Sequence, residues 1–368
     1  MLEGLLPSTE QNLAFYHHQK ERISFCNFYI YLKESLIMVT KIDMHTHVAP
    51  REAVKVADKG GNWHGVEFSR DHNEKLTTSY GGETMALPWP RKMETPQDRL
   101  NSMSERNVDI HVLSMSPLMH WHKLDNVNAK SYAIDVNDDI SDYANIDNDR
   151  FQSLCFLPLQ DTDASIYELE RCVVSKKMMG AMVATNINGM DWDNDKLYPI
   201  LEAANKLKCL VFFHPTRGRA NSWLKNYHLR NLIGNPLETT VAMANIIFGG
   251  ILDKLPDLNL CFAHGGGFMR QGIGRFDHGY KVRDEAKINI SSLPSEYLKN
   301  FYYDTITHSE NGLRNLIDIV GIDRVFLGSD YPADMGEPYP VDFVNNSTLL
   351  TKVEKEKILS KNIIPFLK

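Results

Sequence analysis

The chain has no basic excess: Lys plus Arg number 40, Asp plus Glu 47, and the net charge is −7. A nucleic-acid binder usually shows the opposite balance, so no such partner is expected. Long apolar runs are also missing. The mixed stretch Gln19–Leu32 has an apolar core of about ten residues, too short to span a bilayer. No small-residue cleavage site comes after it, which argues against a signal peptide. Cysteines are few and odd in number, five in all, at positions 26, 155, 172, 209 and 261, with no CxxC pair. This fits reduced core thiols in a cytoplasmic protein. Cys155, Cys209 and Cys261 sit inside apolar runs, which suit inert core thiols, so no cysteine nucleophile is expected. No GxGxxG comes after the first apolar run, which speaks against a dinucleotide site, and no organic cofactor is expected.

The rest of the composition is ordinary for a globular protein, with 43% apolar and 24% charged residues over 368 positions. Residues 1–37 differ in character from the remainder of the chain and are set apart as an N-terminal extension. Met38 stands directly before Val-Thr-Lys-Ile-Asp-Met-His and reads as the biological start. The other reading is an amphipathic extension that packs on a partner. No linker divides residues 38–368, which are expected to form one domain.

Eight short β-rich runs recur in that domain: Ile42–Val48, Val108–Met115, Phe151–Leu159, Gly180–Ile187, Cys209–His214, Asn259–His264, Phe301–Ile306 and Arg324–Asp330. They are nearly free of charge, as parallel strands buried on both faces must be. Helix-compatible segments lie between them. One opens at Pro96 with Thr95 as its N-cap; others cover Asp161–Lys177, Asn194–Lys208 and Pro236–Leu255. Strand and helix alternate at a spacing of about 40 residues, which predicts a (β/α)8 TIM barrel with an insertion between strands one and two. An open doubly wound sheet is the alternative. The insertion, residues 49–95, contains Trp63, His64, Trp89 and Arg91 and is expected to cover the barrel mouth.

Barrel chemistry sits at the C-terminal strand ends. Strand one ends in Asp43-Met44-His45-Thr46-His47, and alternation puts His45 and His47 on one face, able to grip one metal ion. Strand five ends at His214, strand six at His264-Gly265-Gly266-Gly267, and strand eight at Ser329-Asp330-Tyr331-Pro332. Imidazole nitrogens with a carboxylate suit Zn, and also Mn, Fe or Co. The glycine run has two readings: a phosphate cradle built of backbone amides, or room for close approach beside His264.

These strand ends resemble those of the amidohydrolase superfamily. The segments Arg99–Leu113, Leu197–His214, Asn235–Thr240, Phe248–Ile251, Phe262–Gly267 and Leu327–Pro332 resemble the 2-amino-3-carboxymuconate-6-semialdehyde decarboxylase family within it. The resemblance implies one divalent metal ion, Zn by default with Mn as the other choice, held by His45, His47, His214 and Asp330. It makes His264 the catalytic acid/base. Strand four, Ala181–Ile187, has no lysine at its end to bridge two metals, and Lys176 and Lys177 precede it at the wrong mouth. A mononuclear decarboxylase therefore fits better than a binuclear hydrolase.

The implied activity is non-oxidative decarboxylation of a small unsaturated or aromatic carboxylic acid. A metal-dependent hydrolase or hydratase of a related ring-cleavage product or lactone is the alternative, since the same ligands serve either reaction. Arg275 matches a family arginine that reaches the neighbouring subunit's site, which implies a homodimer or higher homo-oligomer. Arg91 is the candidate for a second carboxylate-binding arginine, and Trp192 for a tryptophan beside the substrate. His120-Trp121-His122 is a second HxH, but it lies past the end of strand two and is expected to line the mouth or the surface.

Overall fold

The computed structural model describes residues 40–91, 95–216, 218–219 and 223–368. The chain divides into Met1–Val39 and Thr40–Lys368, and the second unit is the one described. The extension 1–37, with Cys26, lies outside the described residues.

The first strand, β1, runs Ile42–Val48, as expected from the sequence. The insertion comes next, with helix Arg51–Lys59 and strands β2 (Gly61–Trp63), β3 (Val66–Arg70), β4 (Leu76–Tyr80) and β5 (Glu83–Ala86) in one antiparallel sheet. Then come β6 (Ile110–Met115), β7 (Phe151–Phe156), β8 (Gly180–Ala184), β9 (Leu210–His214), β10 (Asn259–Phe262), β11 (Tyr302–Asp304) and β12 (Val325–Phe326). These seven and β1 form an eight-stranded sheet in sequence order, with neighbouring strands parallel throughout. Its two ends meet. Met44 N donates to Leu327 O at 2.9 Å and Asp330 N to His45 O at 2.8 Å. That closure excludes the open sheet and makes the fold a (β/α)8 barrel.

The apolar runs are explained by burial. Every residue of β1, β8 and β9 is buried. Met44, Val112, Leu154, Met182, Phe212, Cys261 and Phe326 meet in the core. The helix Pro96–Glu105 begins as its sequence predicts, with the Thr95 side chain accepting from Asp98 N. Asp161 caps Thr162–Glu170 in the same way through Ala164 N. The single helix expected over Pro236–Leu255 is instead two, Asn235–Phe248 and Ile251–Lys254. The break falls at Gly250, whose φ of 69° is left-handed and where a Cβ would stand 2.2 Å from Asn289 O.

Strands six and eight stop earlier than their apolar runs suggest. His264 and Asp330 carry φ of 57° and 62°, so the backbone turns out of the strand at each of them. The insertion covers one side of the mouth, where Trp121 Nε1 donates to Thr78 Oγ1 of β4 at 2.8 Å. Among the described residues no helix is long and apolar enough to cross a membrane.

Candidate metal centre

The ends of β1, β9, β10 and β12 bring four imidazoles onto one carboxylate. Asp330 Oδ1 lies 3.0 Å from His47 Nε2, 3.3 Å from His45 Nε2 and 4.0 Å from His214 Nε2. Its Oδ2 lies 3.5 Å from His264 Nε2. The two Nε2 atoms of His45 and His47 are 3.1 Å apart. Ligand atoms about 2 Å from a shared ion sit roughly 3 Å from each other, so this spacing fits one ion.

The other ring nitrogens explain the orientation. His45 Nδ1 is 2.6 Å from Asp304 Oδ2, His47 Nδ1 is 3.1 Å from Ser114 Oγ, and His214 Nδ1 is 2.8 Å from Pro215 O. Each Nδ1 is engaged from outside, which aims each Nε2 inward. His214 Nε2 is buried and has no hydrogen-bond partner among the described residues. A buried nitrogen left so, beside a carboxylate, fits an ion.

His264 belongs to the same cluster. Donor atoms of His45, His214, His264 and Asp330 all lie within 4.8 Å of one another. Distance alone does not separate His264 from the ligands, but its surroundings do. Its side chain is 16% exposed, against 5% or less for the other three imidazoles. Its Nδ1 has no partner among the described residues, and its ring faces a cavity of about 280 Å³ shared with Asp330.

Burial disfavours charge at the centre, and the carboxylates decide where charge stays. At His45 burial is outweighed by Asp330 and Asp304, and the imidazole is pushed up to about 10. Burial pushes His47 down to about 4, with Asp330 opposing. Burial, then the neighbouring imidazoles, holds His214 well below the ordinary histidine value. Burial would raise Asp330, but His45 and His264 hold it well below the usual carboxylate range. The surroundings thus favour the anion at Asp330 and the uncharged ring at His47 and His214, while the two carboxylates beside His45 favour its charged form.

A family profile described as Amidohydrolase matches residues 42–368, nearly the whole described barrel. The chain belongs to the amidohydrolase family. It is 33% identical over 334 residues to a 2-amino-3-carboxymuconate-6-semialdehyde decarboxylase of Dictyostelium discoideum, covering 89% of this chain and 91% of that one. Among solved structures, it superposes on a 5-carboxyvanillate decarboxylase from Sphingomonas paucimobilis with a TM-score of 0.75 at 20% identity, covering 89% of this chain and 99% of the other. A dihydroxybenzoic acid decarboxylase from Polaromonas, solved with bound manganese, gives a TM-score of 0.71 at 21% identity, with 89% and 97% covered. The likeness to both structures is one of fold.

The amidohydrolase centre contains one carboxylate that the sequence reading missed. Asp304, at the end of β11, is fully buried and accepts hydrogen bonds on both oxygens. Oδ2 takes His45 Nδ1 and His264 N at 2.6 and 2.9 Å; Oδ1 takes Gly265 N and Ile306 N at 2.8 and 3.1 Å. One side chain thus orients the His45 ring and holds the turn that presents His264. The available signal is a lone carboxylate inside an otherwise uncharged run, Phe301–Ile306. Asp304→Asn keeps the shape but offers one acceptor oxygen where two are used. Metal affinity is expected to fall about 10- to 100-fold in a titration against a competing chelator. Unchanged affinity would remove this role.

Asp43 is also fully buried, and holds Ser329 through both its amide and its hydroxyl. Burial pushes it up to about 6. It links β1 to the residue before Asp330.

The three substrate-binding expectations fare differently. Trp192 has no exposed surface, donates Nε1 to Ala184 O at 2.8 Å and packs edge-on to Phe213. It is enclosed and cannot face a substrate in this arrangement. Arg91 is exposed and spends its guanidinium on Asp58 and Glu74, both in the insertion. It lines neither the cavity beside His264 nor the one beside His120 and His122. Arg275 is exposed on the helix Met269–Val282 and lines neither cavity of its own barrel.

His120, Trp121 and His122 are buried rather than on the surface. They line a cavity of about 580 Å³ with Asn186, Asn188 and Arg219, apart from the metal cluster. The glycine run is not a phosphate cradle, because its amides are spent within the fold: Gly265 N on Asp304, Gly266 N on Ala263 O and Gly267 N on His264 O. Close approach is the reason for glycine, since a Cβ on Gly267 would lie 2.2 Å from Pro236 O. Lys176 and Lys177 line a separate cavity with Asn145 and Gln152, away from the metal centre.

Proposed function

We propose that this amidohydrolase removes a carboxyl group, as CO2 and without oxidation, from a small unsaturated or aromatic carboxylic acid. The enzyme is a metal-dependent carboxy-lyase. The observation that carries this reading is the placement of His264: an imidazole with one unpinned nitrogen, facing a cavity at the edge of a metal-ligand cluster.

His45, His47, His214 and Asp330 would hold one divalent ion. When bound, that ion supplies Lewis acidity, which orients an oxygen of the substrate and stabilises developing negative charge. The remaining steps belong to the chain. The C–C bond to the carboxylate breaks, its electron pair stays on the carbon, and CO2 leaves. His264, protonated, gives its proton to that carbon and ends neutral. One proton is consumed for each CO2 released, so atoms and charge balance.

Zinc suits three imidazoles and one carboxylate; the manganese bound by the Polaromonas relative keeps Mn as the second choice. The active unit is a homodimer in which Arg275 crosses to the neighbouring site, where a guanidinium fork binds a carboxylate in two hydrogen bonds. The cysteines among the described residues are buried free thiols, which suit a reducing cytoplasm.

The test is CO2 release by metal-loaded protein from carboxymuconates, salicylates, resorcylates and carboxyvanillates, with metal analysis of the same sample. Release of CO2 with about one equivalent of transition metal is expected. An acid or hydrated product without CO2 would favour the hydrolase or hydratase reading. No CO2 from any acid, with the metal present, would overturn the proposal.

A further inference from the structure

Arg91 and Trp192 leave the metal-centre cavity without the substrate contacts expected of them. The cavity has a cation of its own. Arg270 lines it together with His264, Asp330, Asn235, Phe268 and His308. It stands in the first turn of the helix Met269–Val282, directly after the glycine run. It is half-buried, and burial holds its guanidinium below the ordinary arginine range.

Its partners are neutral. Nη1 donates to Gly265 O at 2.8 Å, and Nε is placed to donate to the Gln271 side-chain oxygen at 3.3 Å. Among the described residues no carboxylate lies within ion-pair distance of it. The nearby Asp304 has all its hydrogen bonds committed elsewhere, to His45, His264, Gly265 and Ile306. The contrast with Arg219 is informative: that arginine, on the other cavity, is neutralised by Glu238 and Asp191. A half-buried guanidinium that feels Asp304 only at a distance and has no ion-pair partner is costly unless an anion completes it. A planar fork of donors facing a cavity recognises a carboxylate.

We propose that Arg270 binds a carboxylate of the substrate within its own chain, and that this carboxylate is retained in the product. The second half rests on electrostatics. The departing carboxylate loses its charge as the C–C bond breaks, so a cation fixed on it would stabilise the ground state more than the transition state. A cation on a carboxylate that stays costs the reaction nothing and orients the reacting carbon toward His264. The substrate class is accordingly a dicarboxylate. This inference rests on the decarboxylase reading for its chemistry, but the binding contact can be measured without turnover.

The experiment uses Arg270→Gln and Arg270→Lys in zinc-loaded protein, with isophthalate and benzoate as probes in calorimetric titrations. Metal content and melting temperature identify intact variants, and the lysine variant serves if the glutamine one fails to fold. Isophthalate affinity is expected to fall about 10- to 100-fold in Arg270→Gln and by less in Arg270→Lys, which keeps the charge without the fork. Benzoate, which a metal can hold by its single carboxylate, is expected to change less than about 3-fold. With a dicarboxylic substrate, KM should rise by the isophthalate factor while kcat changes little. Equal losses for both probes would mean that Arg270 only supports the Gly265 turn, and would overturn the clamp. So would an unchanged isophthalate affinity, or wild-type protein that binds neither probe. If Arg270→Gln loses isophthalate but wild type releases no CO2 from any acid, the clamp stands and the decarboxylase reading falls.

Discussion

His264→Asn lowers turnover at least about 100-fold and leaves one equivalent of metal in place. Asparagine keeps a polar side chain and tolerates the left-handed φ of 57° at this position. What it removes is the exchangeable proton. The metal stays because the ligand rings are held independently: His45 by Asp304, His47 by Ser114 and His214 by the Pro215 carbonyl. Turnover is measured as CO2 release and metal by elemental analysis on the same preparation. The paired readout matters because His264 Nε2 lies only 3.5 Å from Asp330 Oδ2. Loss of metal together with turnover would make His264 a ligand. Turnover that survives would end its role as proton donor.

Asp330→Asn does the opposite and empties the site. Metal affinity falls by about 100-fold or more, so less than half an equivalent survives dialysis against chelator. Losing a hydrogen-bond partner outside the ligand shell already costs about 10- to 100-fold, and Asp330 is the anion of the shell itself. Asp304 does not substitute, because its oxygens are committed to His45, His264, Gly265 and Ile306. The change isolates charge, since asparagine has nearly the same volume and accepts the φ of 62°. Full retention of metal would show that the imidazoles suffice. Uptake by the unsubstituted protein also depends on pH with a definite sign. Without metal, His45 is pushed up to about 10 and carries a proton at neutrality, while His47, pushed down to about 4, is already free of one. Binding displaces about one proton, so affinity weakens roughly tenfold for each unit that the pH falls below His45's value. Titrations at two neutral-range pH values check the slope.

Much of this is legible in the amino-acid sequence. Period, charge-free runs and spacing placed all eight strands, because a strand buried on both faces tolerates little but apolar side chains. His45 and His47 were readable as a pair from the two-residue period of β1 alone. His214, His264 and Asp330 were visible because polar residues at the end of a buried strand are costly without a use.

Other features depended on long-range geometry. Pro236–Leu255 looks continuous in helical period, but Gly249-Gly250 breaks it where Asn289 approaches. Nothing local to Arg91 signals that Asp58 and Glu74, distant in sequence, pair with its guanidinium. Trp192 looked like a substrate contact until β8 and β9 closed over it. Asp304 serves His45 from 259 residues away, a distance no local pattern encodes.

The sequence alone carries the alternation of eight strands with helices, the polar residues at the strand ends and the lack of a lysine at the end of strand four; closure of the sheet into a barrel does not follow from it. Long-range packing sets which nitrogen of each histidine faces inward, which carboxylate meets an Nδ1 and which meets the Nε2 atoms, and which arginine lines the cavity without an ion-pair partner. The reason is that periodicity is a property of neighbouring residues. Hydrogen-bond satisfaction and charge neutralisation depend instead on whatever the closed barrel brings within about 3 Å.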